Sequence, residues 1–386
     1  MPPEQRLPPL DAGALRRILA VRLDNVGDLV LLGPALRALR EAAPRATIDL
    51  LCSPVGAEAT PLLPWVDRTI PHRALWQDAA GRLPFDPARE LGLVEALRAG
   101  HYDAAFVFTS FSQSPYPAAY AAYLAGIPVR VAQTRDFGGA VLSHPVVPLP
   151  DPTHQADRNL HLLEAVGIPV TDRRLELAVP PESAARARAF LAEAGIGPDD
   201  PFVVLAPGAS CAARRYPVDR FAAVAAGLAG ALDWPIVVVG ADRERPLAAP
   251  VLEATPLARS LVGRTDVPEL AAVVARARLV VTSHSAPLHV ADAFAVPVVC
   301  PFSGTDLESQ WRPRRSPAAL LRVPTRCAPC GRFECPFAME CLELPPGAVV
   351  EAALDLLEVS RSPAGGARVP RAASEPRKDR WIASAS

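Results

Sequence analysis

The stretch "RLDNVGDLVLLGPALRALR", residues 22–40, decides the fold of this chain. A strand-like run precedes it and breaks at Gly27 beside Asp28, and a helical pattern follows. A strand, a glycine turn and a helix open a nucleotide-binding α/β unit, although a dinucleotide fingerprint would need three glycines. We expect Pro34 in the first turn of the helix, because proline is poorly tolerated further inside. Asp28 then lies in, or at the start of, the connection out of the first strand.

The composition excludes several classes of protein. The chain has 386 residues, 50% of them hydrophobic, which is enough for two α/β domains with separate cores. The net charge of −1 argues against nucleic-acid binding and against more than peripheral membrane contact. No apolar run approaches the roughly 18 residues that span a bilayer, and the Pro-rich, acid-containing N-terminus does not resemble a signal peptide. We therefore expect a cytoplasmic protein.

Strand-like and helical runs alternate along the chain, which is typical of doubly wound α/β domains. A polar, Pro-rich segment around 172–200 predicts a boundary between an N-terminal domain, 1–178, and a C-terminal domain, 179–360. Residues 361–386 have the composition of a disordered tail. Residues 110–145 mix Ser, Pro and Tyr with a small helix, so we expect them to face the substrate. The predicted strands are 17–23, 46–52, 104–109, 202–206, 235–239, 259–262, 278–282 and 296–300, and the predicted helices are 34–43, 88–99, 155–166, 182–194, 217–230, 244–254, 267–275, 287–294 and 346–358.

The segment "PGASCAARRYP", 207–217, directly follows a predicted strand. Gly208 and the small residues after it free backbone N–H groups that can hold an anion, and Ser210 and Arg214 add a hydroxyl and a cation. A tight turn with solvated arginines is the alternative interpretation. The pattern indicates a phosphate-binding turn.

The segment "VVVGADRE", 237–244, ends a strand at Gly240 with two acids beyond it. An acid at the carboxyl end of a strand can hold ribose hydroxyls, which makes Asp242 or Glu244 a candidate for that role. A capped helix start would explain the same residues equally well.

The segment "LVVTSHSAPLHVADAF", 279–294, repeats the order of strand, polar turn and helix. His284, Ser285 and Ala286 follow the strand, where ligands bind in open α/β sheets, and His289 falls in the first helical turn. A lone histidine is more often a packed residue than a catalytic one. Two of them beside a helix start favour a second donor-binding turn.

Taken together, these stretches resemble glycosyltransferase family 9, the ADP-heptose–lipopolysaccharide heptosyltransferases. The resemblance extends over about residues 17–358 with the motifs in the order of the family. It is carried by "ILAVRLDNVGDLVLLGPALRALREAAPRATIDLL", "PGASCAARRYPVDRFAAVA", "SLVGRTDVPELAAVVARARLVVTSHSAPLHVADAFAVPVV" and the cysteine-rich "CAPCGRFECPFAMECLELPP".

The resemblance implies a GT-B fold, in which two Rossmann-like domains face each other across a cleft. It implies inverting, metal-independent transfer of a heptose or related sugar from an ADP-sugar to a glycan or glycolipid of lipopolysaccharide-core type, with no cofactor required. Asp28 matches the family's general base, with Arg22, Asn25 and Gly27 beside it on the acceptor side. A small secondary-metabolite acceptor, a GT-B sugar-nucleotide epimerase and a binding protein with decayed catalysis remain alternatives.

The sequence departs from the family pattern at three positions. Arg214 stands where lysine is usual, and Tyr216 where tryptophan is usual. The pattern D-[ST]-G-x-x-H reads His284-Ser285-Ala286-Pro287-Leu288-His289 here. Because histidine titrates near neutral pH, we expect His284 to alter the pH behaviour or the choice of donor sugar.

Four cysteines lie close together in sequence after the donor-binding segments. A C-x₂-C pair followed by two further thiols could hold a structural zinc ion in a tetrahedral Cys₄ site, although the spacing is more compact than in most zinc knuckles. An iron–sulfur cluster, reduced thiols in a small satellite core and two disulfides are the alternatives. The four residues are Cys327, Cys330, Cys335 and Cys341.

Overall fold

A computed structural model describes residues 9–78 and 81–361 and contains two parallel six-stranded sheets. The doubly wound α/β class predicted from the sequence is confirmed. Apart from Arg361, which ends the last helix, the tail predicted at 361–386 lies outside the described residues.

The first sheet has the strand order β3-β2-β1-β4-β5-β6. Its central strands are short apolar runs with both faces covered, and all residues of β4 are buried. The order reverses between β1 and β4, and ligands bind in open α/β sheets at such a switch point. The strands are β1 (Arg17–Arg22), β2 (Thr47–Cys52), β3 (Arg68–Pro71), β4 (Ala104–Val107), β5 (Val129–Gln133) and β6 (His144–Val146).

The second sheet repeats this plan with the order β12-β11-β10-β7-β8-β9. Its switch point lies between β7 and β10, which are the strands that precede two of the predicted donor-binding turns. The strands are β7 (Val203–Ala206), β8 (Ile236–Val238), β9 (Ala258–Ser260), β10 (Leu279–Thr282), β11 (Val298–Pro301) and β12 (Ala318–Leu321).

Helices connect the strands in both halves, as right-handed parallel crossovers require. Those of the first half are α1 (Val26–Ala42), α2 (Pro54–Ala57), α3 (Pro87–Ala99), α4 (Tyr116–Leu124) and α5 (Gln155–Glu164). Those of the second half are α6 (Pro181–Glu193), α7 (Val218–Leu232), α8 (Arg245–Glu253), α9 (Val267–Arg276), α10 (Ala286–Ala293), α11 (Glu308–Trp311) and α12 (Pro346–Arg361).

The start of α1 differs from the prediction. The helix begins at Val26, so Pro34 lies inside it and Asp28 belongs to its first turn. The Asn25 N–H donates to Asp28 Oδ2 at 3.2 Å, a contact that caps the helix at this point. Pro34 removes one backbone hydrogen bond, but it is surrounded by fully buried leucines, so packing rather than propensity holds the helix.

Of the four strands that the sequence does not predict, β3, β5 and β6 carry polar residues or prolines, whereas β12 is apolar but lies at an edge of its sheet. β5 contains Arg130, β6 contains Pro145, and every residue of the edge strand β12 is only partly buried. The small helix expected within 110–145 is present as α4, but the expectation of a loop region is wrong where the chain forms β5 and β6.

The predicted boundary near 178 falls between contacts that belong to different halves. The Ala178 N–H donates to the Leu62 carbonyl at 3.0 Å, whereas Arg186 of α6 pairs with Glu269 of α9. The exact division of the domains stays a prediction. Within the described part of the chain, no helix combines the length and apolarity needed to cross a membrane.

Asp292 fixes the end of α10 against the loop between α11 and β12. Its side chain, 1% exposed, accepts hydrogen bonds from the backbone N–H groups of Arg314, Arg315 and Ser316. Asp292→Ala leaves these N–H groups without their acceptor, so we expect the free energy of unfolding to fall by about 2–4 kcal/mol in urea titrations. The same change at exposed Asp199 should cost less than about 0.5 kcal/mol. Equal losses in the two variants would contradict this structural role.

Candidate functional site

The Asp28 carboxylate lies beyond the carboxyl end of β1 and is held by three donors. Oδ1 accepts from Arg22 Nη2 at 2.8 Å and from Ser110 Oγ at 3.2 Å, and Oδ2 accepts from the Asn25 N–H. The side chain is 14% exposed, so it reaches the surface of the cleft. The arrangement fixes a carboxylate at the switch point of the first sheet, where a substrate hydroxyl could approach it.

Arg22 is the centre of this network. Its side chain is fully buried, and its Nε lies 2.9 Å from Asp24 Oδ2, so the guanidinium faces the carboxylates of both Asp24 and Asp28. Burial raises the pKa of Asp24, and the charge of Asp28 raises it further, while Arg22 and the hydrogen bond from Gln113 act in the other direction. Sequence reasoning placed Arg22, Asn25 and Gly27 beside Asp28 but missed Asp24, Ser110 and Gln113, whose polar side chains also follow β1 and β4.

Gly27 brings the two halves of the molecule together. A Cβ at this position would lie 2.9 Å from His289 Cδ2 and 3.5 Å from the Ala286 Cα, so the first turns of α1 and α10 touch here. A larger residue would push these helix starts apart. The glycine of the opening stretch therefore allows close packing across the cleft, and Asp28 follows it directly.

The two histidines of the third motif are buried and neutral. His284 is 4% exposed and stacks on Phe302 with 4.4 Å between ring centroids. Burial, together with the charge of Arg214 and the proximity of His289, lowers the pKa of His284 well below its ordinary value. Burial likewise lowers the pKa of His289 to about 4, against the opposing charge of Asp28. The expectation that His284 titrates near neutral pH is therefore wrong, because the side chain is shielded from water.

Arg214 points to a partner that the sequence did not suggest. Its Nη2 lies 2.7 Å from Asp306 Oδ2, and its Nε donates to Thr305 Oγ1 at 3.2 Å. His284 Nδ1 lies 3.6 Å from the same Asp306 oxygen. The structure thus joins the phosphate-binding turn, the histidine turn and a third turn after β11. A polar "SGTD" run after a strand was the signal that could have revealed Asp306.

The Glu244 carboxylate lies against two glycines, Gly208 in the turn after β7 and Gly240 in the turn after β8. A side chain on Gly208 would collide with its carboxylate, and a Cβ on Gly240 would lie 2.8 Å from its Oε2. Glu244 Oε2 also accepts the Ala241 N–H at 2.9 Å. Asp242, by contrast, is 78% exposed and pairs with Arg245. Of the two acids predicted to contact ribose, only Glu244 faces the turn that follows β7.

The remaining donor-side residues differ in their placement. Ser210 is exposed, whereas Ser285 Oγ donates to the Ser283 carbonyl at 3.2 Å. At the start of α10, Pro287 has no N–H, and the Leu288 N–H already donates to the Ser285 carbonyl. The supply of free N–H groups near Ala286 is therefore smaller than the motif suggested.

A cluster around Trp311 was missed entirely. Its ring lies 5.9 Å from that of Phe111 across the cleft, and within about 6 Å of both histidine rings, at 5.8 Å for His284 and 6.1 Å for His289. Behind Phe111, the guanidinium of Arg158 lies 4.3 Å from the aromatic centroid. The charges of Arg135 and Arg22 are near enough to lower the pKa of Arg158, after burial as the main cause. Several arginines are therefore concentrated on the N-terminal side of the cleft.

The four clustered cysteines are free thiols in the structure. Burial raises the pKa of Cys341, and the charges of the other three thiols raise it further, which shows that the four lie near one another. Even so, no group of three or more His, Cys, Asp or Glu side chains within residues 9–78 and 81–361 is arranged to hold a metal ion. The zinc site therefore stays a prediction. The thiols do not form a buried satellite core either, because Cys327 is exposed and Cys330, Cys335 and Cys341 are only partly buried.

Elemental analysis tests this prediction directly. Protein purified without added metal should contain about one equivalent of zinc, and its four clustered thiols should react slowly with a thiol reagent until a chelator is added. A Cys330→Ser variant, with one ligand fewer, provides the comparison. Less than about 0.1 equivalent of zinc or iron, with rapidly reacting thiols, would rule the site out.

His154 links the two halves at the rim of the cleft. Its Nδ1 accepts the Ala156 N–H at 3.1 Å, so its Nε2 carries the proton and donates to the Arg312 carbonyl at 3.1 Å. Burial, with the charges of Arg314 and His289, lowers the pKa of His154 to about 4.

This pKa shift makes folding sensitive to acid. The unfolded chain takes up a proton near pH 6.5, whereas folded His154 does so only near pH 4, so stability is lost as the pH falls between these values. His154→Asn keeps an acceptor and a donor but no titrating group. We expect urea titrations to show that the free energy of unfolding falls between pH 6.5 and pH 4. This decrease should be smaller in the variant by about 2–3 kcal/mol. Parallel stability curves for the two proteins would contradict this assignment.

Two Rossmann-like sheets with polar turns at both switch points are typical of the GT-B fold, and comparisons with known proteins identify the family. The family model described as glycosyltransferase family 9 (heptosyltransferase) matches residues 91–340. Lipopolysaccharide heptosyltransferase 3 of Escherichia coli is 26% identical over 298 residues, which cover 74% of this chain and 83% of the relative. The chain belongs to glycosyltransferase family 9.

Solved structures show the same fold. The family 9 glycosyltransferase of Veillonella parvula aligns with a TM-score of 0.73 and 21% identity, covering 91% of this chain and 99% of that one. The ADP-heptose lipopolysaccharide heptosyltransferase II of E. coli aligns with a TM-score of 0.68 and 20% identity, covering 90% and 100%. The family model begins beyond Asp28, so the role of this residue depends on the geometry described above.

Proposed function

We propose that this glycosyltransferase is inverting and metal-independent, and that it transfers a heptose or a related sugar from an ADP-sugar to a glycan of lipopolysaccharide-core type. The kind of donor and acceptor is suggested by the names of the similar E. coli proteins. The acceptor would bind to the N-terminal domain and the donor to the C-terminal domain. The cytoplasmic location expected from the sequence belongs to the same proposal.

The observation that carries the proposal is the position of the Asp28 carboxylate. It is ordered by Arg22, Ser110 and Asn25, partly exposed, and adjacent to the point where α1 meets α10. In the proposed reaction, Asp28 takes the proton of the acceptor hydroxyl, and the acceptor oxygen bonds to the anomeric carbon. The bond from that carbon to the phosphate oxygen breaks, and ADP leaves with the electron pair. A single displacement of this kind inverts the configuration.

Positive charge must stabilise the departing diphosphate. Arg214 is the cation at the switch point of the second sheet, oriented by Thr305 and Asp306. Ser210 and the backbone around Ala286 would add hydrogen bonds, and Glu244 rather than Asp242 is placed to receive ribose hydroxyls beside Gly208. In this proposal Arg214 and backbone N–H groups, rather than a metal ion, face the departing diphosphate.

Asp28→Asn tests the role of the base. The amide cannot accept the proton, so the rate of ADP release from ADP-heptose, with a heptose-deficient lipopolysaccharide core as acceptor, should fall by about 10²–10⁴-fold. Because the change also removes a charge facing buried Arg22, we expect a moderate decrease in the melting temperature.

Asp24→Asn is the matched control, since it removes the other carboxylate that faces Arg22. It should lower the melting temperature by a similar amount while lowering the rate less than about 10-fold. Equal losses of rate in the two variants would show that the network, and not Asp28 as a base, matters. If the unaltered enzyme releases ADP only with a small-molecule acceptor, the lipopolysaccharide-type acceptor is wrong; if it binds ADP-heptose without any transfer, catalysis has decayed.

A further inference from the structure

Asp306 stands where three donor-side turns meet, and neither the sequence motifs nor the family resemblance assigned it a role. Its Oδ2 faces Arg214 Nη2 at 2.7 Å and accepts the Thr305 hydroxyl at 2.6 Å. On a third side, His284 Nδ1 lies 3.6 Å away. One oxygen of this carboxylate is therefore surrounded by groups of the protein.

The other oxygen is free to bind a ligand. Among the described residues, none donates a hydrogen bond to Asp306 Oδ1, and the side chain is 17% exposed. An ionised carboxylate accepts through both of its oxygens, so Oδ1 has unused capacity at the surface of the cleft.

The surroundings hold this carboxylate rigidly. Ser303 and Thr305, both almost fully buried, share a hydrogen bond of 2.9 Å between their hydroxyls. The Gly304 and Thr305 carbonyls accept the N–H groups of Cys330 and Gly331 at 3.0 and 2.9 Å. A side chain held in this way can select a ligand geometry with little loss of entropy on binding.

His284 provides a second, independent sign of a ligand. Its Nδ1 is buried and has no hydrogen-bond partner in the described part of the chain, although it points towards the Asp306 carboxylate. Such unsatisfied buried groups are rare and require an explanation. The buried His284 ring and the Asp306 carboxylate thus form one polar surface with, among the residues that the structure describes, an unused Nδ1 on the histidine and an unused Oδ1 on the aspartate.

We propose that Asp306 is a specificity-determining residue that accepts a hydrogen bond from a hydroxyl of the transferred sugar. A carboxylate repels the diphosphate itself, so beside Arg214 it is suited to the uncharged, hydroxyl-rich part of the donor. The sugar is attached to the phosphate that Arg214 faces, which brings its hydroxyls within reach of Oδ1. This inference rests on the proposed donor site.

Calorimetric titration of the full chain with ADP-heptose and, separately, with ADP tests the inference without the need for an acceptor. In Asp306→Asn the amide oxygen can still accept from Arg214, but the free carboxylate oxygen is lost. We expect the Kd for ADP-heptose to rise about 10-fold or more and the Kd for ADP to change less than about threefold. Glu308 lies two residues after Asp306, and its carboxylate pairs with Arg322. The control variant Glu308→Gln removes this charge and should change neither Kd.

The variant Arg214→Ala distinguishes a failure of the proposed donor site from a failure of the sugar contact of Asp306. It should weaken binding of both ligands, because the diphosphate is common to them; unchanged affinities would refute the proposed donor site. A second outcome would refute only the sugar contact of Asp306. In that outcome Arg214→Ala weakens binding of ADP-heptose and ADP, whereas Asp306→Asn changes the affinities for the two ligands by the same factor or changes neither. Melting temperatures within about 3 °C of the unaltered protein identify the variants that fold normally.

Discussion

The guanidinium of Arg22 is fully buried at the end of the central strand of the first sheet, and two carboxylates compensate its charge. An unpaired charge at this depth would cost several kcal/mol, and the carboxylates of Asp24 and Asp28 both lie against it. This requirement determines the path of the chain between β1 and α1. Asp24 directly precedes Asn25, the N-cap residue of α1, and Asp28 lies in the first turn of that helix. The Asp28 side chain is therefore held against Arg22 while it stays partly exposed at the cleft. The requirement to neutralise Arg22 thus holds the proposed base in place.

The second constraint is the contact between α1 and α10. Both helices begin beside the switch point of their own sheet, so bringing these starts together places the two switch points opposite each other. Only a residue without a side chain allows the approach seen at Gly27, where His289 packs directly. The same contact removes His289 from water and keeps it neutral. A glycine that in a dinucleotide-binding domain would approach a pyrophosphate here approaches the other domain.

The predictable parts of the structure are those that local pattern decides. The apolar central strands and most helices are predicted within a few residues, and turn chemistry after strands points to Gly27, Asp28 and Arg214 as candidates, whose roles stay predictions. The start of α1 was hidden by Pro34, because packing outweighs its local effect, and β6 was hidden by Pro145 and by its short length. Partners distant in sequence could not be predicted, since the pairing of Arg214 with Asp306 exists only after two separate turns of the second sheet come together.

The cysteine-rich segment connects these two turns. The Ala213 N–H, next to Arg214, donates to the Phe333 carbonyl, while Cys330 and Gly331 donate to the turn that carries Asp306. Phe333 and Phe337 are more than half exposed, so the segment gains little from a core of its own. The conformation of this segment therefore depends mainly on these backbone hydrogen bonds. The backbone of the cysteine-rich segment thus contacts both the turn that carries Arg214 and the turn that carries Asp306, although none of the four clustered cysteines forms a hydrogen bond with Arg214 or Asp306 among the described residues.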